Sequence, residues 1–261
     1  MNNHKEKVYK LIAVAVALVV WQLAALFVKH RILLVGPVEV LLRLGTIWQE
    51  EGFATAIANT MGRIVLGFLI GYLIGSLLAV LAYKWRWVEI MLWPWVVTVK
   101  SVPVASFVVI CLIWLSTRWL SVFISFLIVF PIVYQNILTA LRGMNRELID
   151  LSRLENMSYM KRVRQIYLPQ IAQTIISTAG LTAGMAWKAG VAAEIIGTPS
   201  ASIGKELYLS KIYLDTDDLL AWTVIIVLLS VACEKLLVFI LRRILPQDGD
   251  EDAKGAGKAA V

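Results

Sequence analysis

Cysteine, histidine and charge are all scarce in this 261-residue chain, and each scarcity closes a class of function. The two cysteines, Cys111 and Cys233, sit inside apolar runs, so neither a disulfide framework nor a CxxC metal spacing can be built. The two histidines, His4 and His30, form no HExxH or paired-ligand pattern. A GxSxG nucleophile elbow is also missing. Charged residues make up only 16% of the chain, against about 25% in a soluble domain. That composition argues against a soluble enzyme, and no catalytic or metal-binding residue is assigned.

What the chain has in excess is apolar. Hydrophobic residues reach 59% and mean hydropathy is +0.77. They arrive in blocks about twenty residues long, the length that crosses a hydrocarbon core of roughly 30 Å. Spans read as 11–28, 60–83, 120–141, 171–197 and 219–241. A further stretch, 88–116, is interrupted by Pro94, Lys100 and Pro103. It reads as one crossing, or as an interfacial helix plus a crossing. The fold class is an all-α integral membrane protein with about six transmembrane helices. The connector 36–51 reads as an amphipathic helix that Pro37 opens. Lys29, His30 and Arg31 follow the first span where a signal peptide would have small residues, so that span is expected to be retained.

The net charge of +7 raises the question of nucleic acid, but its distribution answers it. With six crossings and the N-terminus inside, fifteen of the 25 Lys and Arg fall in inside segments and six outside. That asymmetry is the positive-inside rule, with both termini cytoplasmic and no nucleic-acid partner required. Trp85, Trp87, Trp93 and Trp95 beside Lys84 and Arg86 read as an interfacial aromatic belt. The polar tail 246–261 reads as disordered.

Within the spans, Gly67, Gly71 and Gly75, and later Gly180 and Gly184, recur at helical spacing and read as close-packing faces. Ionisable residues there are more telling, since each costs roughly 2.5–3.5 kcal/mol at mid-membrane. Lys100, Lys188 and Glu194 leave two readings open: interior ion pairing, or the polar lining of a translocation path. Arg63, Glu234 and Lys235 read as snorkelling or internally paired. Asp215, Asp217 and Asp218 read as a solvated loop outside, or as a contact with a partner.

The segment RGMNRELIDLSRLENMSYMKRVRQIYLPQ, residues 142–170, carries the strongest signal. Asn145 can cap a short helix with Leu148, Leu151 and Leu154 on one face. Asn156 suits a left-handed residue ending that helix. Ser158 can cap a second helix bearing Met160, Val163 and Ile166, which Pro169 is expected to stop.

This loop resembles the cytoplasmic E-A-A-x3-G-x9-I-x-L-P loop of the inner-membrane permease subunits of binding-protein-dependent ABC transporters. Ile166, Leu168 and Pro169 match, and Asp150 keeps the carboxylate. Leu151 and Ser152 stand where the family has alanines, and Asn156 where it has glycine. The G-P-V-E-V-L stretch 36–41 and the A-W-K-A-G-V-A-A-E run 186–194 are similar to the nitrate, sulfonate and taurine branch. The resemblance implies a single permease domain over 1–245 with an ATPase-coupling loop at 142–169. It also implies a second permease chain (a homodimer by expectation), two ATP-binding subunits, a binding protein outside, and a small anionic nutrient. The bacterial inner membrane is the expected location. No cofactor is expected on this chain, because the nearest approach to a phosphate loop, Gly197 to Gly204-Lys205, has six intervening residues and Glu206 in place of a hydroxyl. ATP would then be used by a partner. The alternative, a self-contained secondary carrier, calls for internal repeats that the two halves do not show.

Overall fold

The computed structural model describes residues 3–28 and 34–245; the tail 246–261 and the cations Lys29 and Arg31 lie outside them. In chain order the helices are α1 (Asn3–Val28), α2 (Pro37–Leu44), α3 (Phe53–Lys84), α4 (Arg86–Ser101), α5 (Val104–Cys111), α6 (Thr117–Arg142), α7 (Arg146–Leu154), α8 (Tyr159–Arg162), α9 (Leu168–Gly197), α10 (Ile203–Tyr213) and α11 (Thr216–Ile244). A 3-10 turn, Ile47–Gln49, follows α2, and a π turn, Val163–Tyr167, joins α8 to α9.

Length and apolarity qualify α1, α3, α6 and α11 as membrane spans. The pair α4 and α5, bent by 102° at Val102 and Pro103, makes a fifth if taken as one crossing. The sixth expected span lies in α9, which is long enough but less apolar than the others. Its position explains the difference. α9 packs against α3, α6 and α11, so much of its surface meets protein and carries Thr, Ala and Gly where a lipid-facing helix carries Leu and Ile. By length and composition the described residues support four or five spans, and six only with α9 added.

Helix directions follow from the glycine contacts. Gly67 faces Val122, Gly71 faces Val129 and Gly75 faces Val133, so α3 and α6 run parallel. The chain between them must return to its starting end, and α4 with α5 makes that return. The approach is close: a Cβ on Gly67 would lie 2.2 Å from the Val122 carbonyl oxygen. α9 runs the other way. Tyr72 Oη donates to the Ile175 carbonyl at 2.8 Å, while Gly190 abuts Ile64. α11 is again parallel to α3, with Gly180 near Val238, Gly184 near Glu234, and Phe53 against Trp222 at 5.2 Å between ring centroids. The starts of α3, α6 and α11 therefore share one end, here the Gly52 end. Lys84, Arg142 and the start of α9 share the other, the Lys84 end.

α1 stands at the side of this bundle, with none of Leu11–Val28 buried. Trp21 Nε1 donates to the Val35 carbonyl at 3.0 Å and ties it to the start of α2. At the Gly52 end, Arg43 of α2 bonds both Asp218 of α11 and Glu50. Asp218 is thus not part of a solvated loop. The first turn of α11 places it where a carboxylate is favoured, and the guanidinium completes a three-way ion cluster.

Candidate functional site

At the Lys84 end, the loop expected to be functional folds as a cap, a helix and a turn. Asn145 Oδ1 accepts the Glu147 N–H at 2.9 Å, which starts α7. Asn156 has φ 51°, the left-handed residue anticipated from its chemistry. Its N–H bonds the Arg153 carbonyl at 3.1 Å, and the Met157 N–H bonds the Ser152 carbonyl at 3.1 Å. Those two bonds are the Schellman pattern, and they satisfy carbonyls that the end of α7 would leave orphaned.

α7 turns Ile149 and Ser152 into the protein, with the Ser152 hydroxyl donating to the Ile149 carbonyl at 2.5 Å. Ser152 is only 2% exposed, so a small residue is needed there, as an alanine would be. Leu148, Leu151 and Leu154 face outward, the last 79% exposed. The leucine that stands where the family has its first alanine is thus about half exposed on the outward side of α7. Asp150 is also on the outside, 3.2 Å from Arg153.

The second helix departs from expectation. Ser158 makes no side-chain cap, and Pro169 does not stop the helix. Tyr159–Arg162 continues through the π turn into α9, with Pro169 in the first turn of α9. The reason is local. Proline lacks an N–H and its ring crowds the carbonyl of residue i−4; the wider π turn directly before it relieves that crowding. Ile166 and Leu168 are part-buried here, and Gln170 Oε1 accepts the Asn145 N–H at 2.7 Å. The start of α7 is therefore fastened to the start of α9.

The three ionisable candidates separate. Glu194 is fully buried near the Gly52 end, accepting from Thr60 Oγ1 at 2.7 Å and from Arg63 at 3.2 Å. Of the two readings left open, interior pairing is the contact it makes. Lys188 is exposed on another face of the same helix. Lys100 is exposed at the end of α4 and donates to Gln135 Oε1 at 2.5 Å. Sequence reasoning missed Thr60 and Gln135. Neither belongs to a motif, and the partner of each lies far away along the chain.

A family model described as the binding-protein-dependent transport system inner membrane component matches residues 71–248. The chain belongs to this family. That match takes in α6, the 142–169 loop and α9 of the permease. A Bacillus subtilis (strain 168) permease protein named for aliphatic sulfonates transport is 23% identical over 234 residues, covering 88% of this chain and 84% of its own. The taurine transport system permease protein of Escherichia coli (strain K12) is 24% identical, with 88% and 86% covered. A crystal structure of a bacterial alginate ABC transporter, in complex with an alginate pentasaccharide-bound periplasmic protein, superposes with a TM-score of 0.58 at 16% identity. It covers 92% of this permease and 94% of that chain, a likeness of fold. The permease is a membrane-spanning subunit of an ABC import system.

Proposed function

We propose that this permease pairs with a second copy of itself to enclose the translocation path, and that two copies of a separate ATP-binding subunit dock on its 142–169 loops. A binding protein on the far side delivers a small anionic, sulfonate-like nutrient, the class named for two of the relatives. In this reading the Lys84 end and both termini are cytoplasmic, ATP is used by the partner, and this chain carries no cofactor of its own. Lys100 and Lys188 supply polar lining to the path, and Glu194 braces the end of α9 that borders it.

One observation carries the proposal: α7 leaves Leu148, Leu151 and Leu154 exposed while its opposite face is anchored by Ile149 and Ser152. A short helix fixed on one face and apolar on the other is what a helix-in-groove contact requires. The bond from Asn145 to Gln170, and the unbroken run from α8 into α9, then carry a push on the loop into a long helix of the bundle.

Gentle detergent purification of the tagged permease, followed by mass spectrometry and reconstitution, tests this. A Walker-motif ATPase recovered in equal amounts, and uptake of taurine or another alkanesulfonate only with ATP, is the expected result. Recovery of the chain alone, still driving uptake without ATP, overturns it in favour of a self-contained carrier.

A further inference from the structure

A crevice of about 390 Å³ opens between α4 and α6, lined by Glu89, Trp93, Lys100, Tyr134, Gln135 and Arg142 among others. Glu89 is its one carboxylate, and both oxygens are already taken. Arg142 bonds each of them, at 2.8 Å to Oε1 and more closely to Oε2, and Arg86 adds a third bond at 2.6 Å. Lys100 donates to the neutral amide oxygen of Gln135, and among the described residues no carboxylate pairs with it. Summed over the lining, Lys100 and Arg142 against Glu89 leave one net positive charge.

Beside Gln135, Tyr134 is only 4% exposed, and its buried hydroxyl has no hydrogen-bond partner among the described residues. A buried hydroxyl left unpaired is costly unless something else completes it. The position of Lys100 adds to the case. It lies in the last turn of α4, whose carbonyls favour a cation without needing a carboxylate. The chain then breaks at Val102 and Pro103. Broken helices of this kind border solute sites in membrane carriers.

We propose that this crevice is an oxyanion site on the route of the transported solute, in which Lys100 Nζ and the Tyr134 hydroxyl bind the oxygens of a small sulfonate-type anion. The chemistry excludes the other classes. A cation would meet Lys100 and Arg142, and an apolar solute would leave Lys100 and Tyr134 unmatched. A phosphate headgroup shares the chemistry, since Trp93 and Trp95 are exposed nearby as at a lipid interface, so the test must separate lipid from solute. The inference rests on the importer reading above for the solute's identity.

The test uses the intact complex with its ATPase and binding protein. Ethanesulfonate is titrated onto the delipidated complex in neutral detergent, read by the part of the tryptophan fluorescence lost in Trp93→Phe. Taurine uptake is measured in liposomes made with and without phosphatidylglycerol. Tyr134→Phe keeps the ring and removes only the unpaired hydroxyl, so in the absence of anion it should fold and melt at or above the parent. Expected is saturable quenching that weakens tenfold or more in Tyr134→Phe and in Lys100→Gln, with a matching rise in KM for uptake. Unchanged binding and KM in both variants overturns the site while leaving the importer intact. A signal that follows phosphatidylglycerol and ignores ethanesulfonate overturns the solute route. Binding that depends on Lys100 and Tyr134 without any ATP-driven taurine uptake upholds the oxyanion site, and it is the sulfonate-importer reading that falls.

Discussion

Thr60 donates its hydroxyl proton to Glu194 across 2.7 Å, and the same oxygen accepts the Ile203 N–H at 3.0 Å. One side chain on α3 thereby fastens the last turn of α9 and the first turn of α10. Arg63, one turn further along α3, completes the cluster by bonding Glu194 and reaching the Ser200 carbonyl at 3.4 Å. Gly204 allows it: a Cβ there would lie 2.3 Å from the Cβ of Glu194.

The first prediction follows from that bridge. Thr60→Val keeps the shape but leaves a buried N–H and one carboxylate oxygen short of a partner. Stability should fall by about 1–3 kcal/mol, read as a lower melting temperature in detergent. Thr60→Ser should melt as the parent does. Equal melting of the valine variant would show that the bridge is not structural.

A second prediction concerns the parallel pair α3 and α6. Gly67→Ala drives a methyl against the Val122 carbonyl and should cost about 1–3 kcal/mol by overpacking. Gly62→Ala is the matched control, because nothing lies within 4 Å of its added carbon. Similar losses in both variants would assign the effect to helix chemistry and not to the contact.

The third prediction addresses the turn at Asn156, which holds φ 51°. Asn156→Val should strain it by about 1–2 kcal/mol and lower uptake per ATP hydrolysed, whereas Asn156→Gly should match the parent. Leu151→Asp changes an exposed position, so melting should hold while the ATPase is lost from the purified complex. Retention of the ATPase in that variant would remove the leucine stripe from the docking surface.

A fourth prediction concerns pH. Burial holds the Glu206 carboxyl above its ordinary range; Lys205 opposes the shift, and Glu50 and Asp218 add to it. The folded protein therefore binds this proton more tightly than the unfolded chain. The associated stability is complete below the unfolded pKa and is lost as pH rises through the higher folded one. Glu206→Gln should melt above the parent at pH 8, with the gap closing as pH falls through the carboxylate range. A gap that does not change with pH would contradict this.

How much of this was legible in the sequence depends on the range of each interaction. Asn145 as a cap and Asn156 as a left-handed stop are local backbone chemistry, and both are found. The span of 11–28 and the closeness forced by Gly67, Gly71 and Gly75 follow from composition and helical spacing. Pro169 departs from the helix stop that its chemistry suggests because the relief comes from a π turn, which has no sequence signature as plain as the proline itself. Asp218 looks solvated in the sequence because its partner, Arg43, stands 175 residues earlier. The same distance effect hides Thr60 behind Glu194 and Gln135 behind Lys100.

The π turn at Val163–Tyr167 also sets a phase. It holds one residue more than the α turn it replaces, which amounts to about 100° of rotation about the helix axis. A helical wheel drawn through 159–197 as one uniform helix would put Tyr159, Met160 and Lys161 on the wrong side of α9. Deleting a single residue between Val163 and Tyr167 would swing those three side chains around the barrel of the helix while leaving every residue after Pro169 where it is.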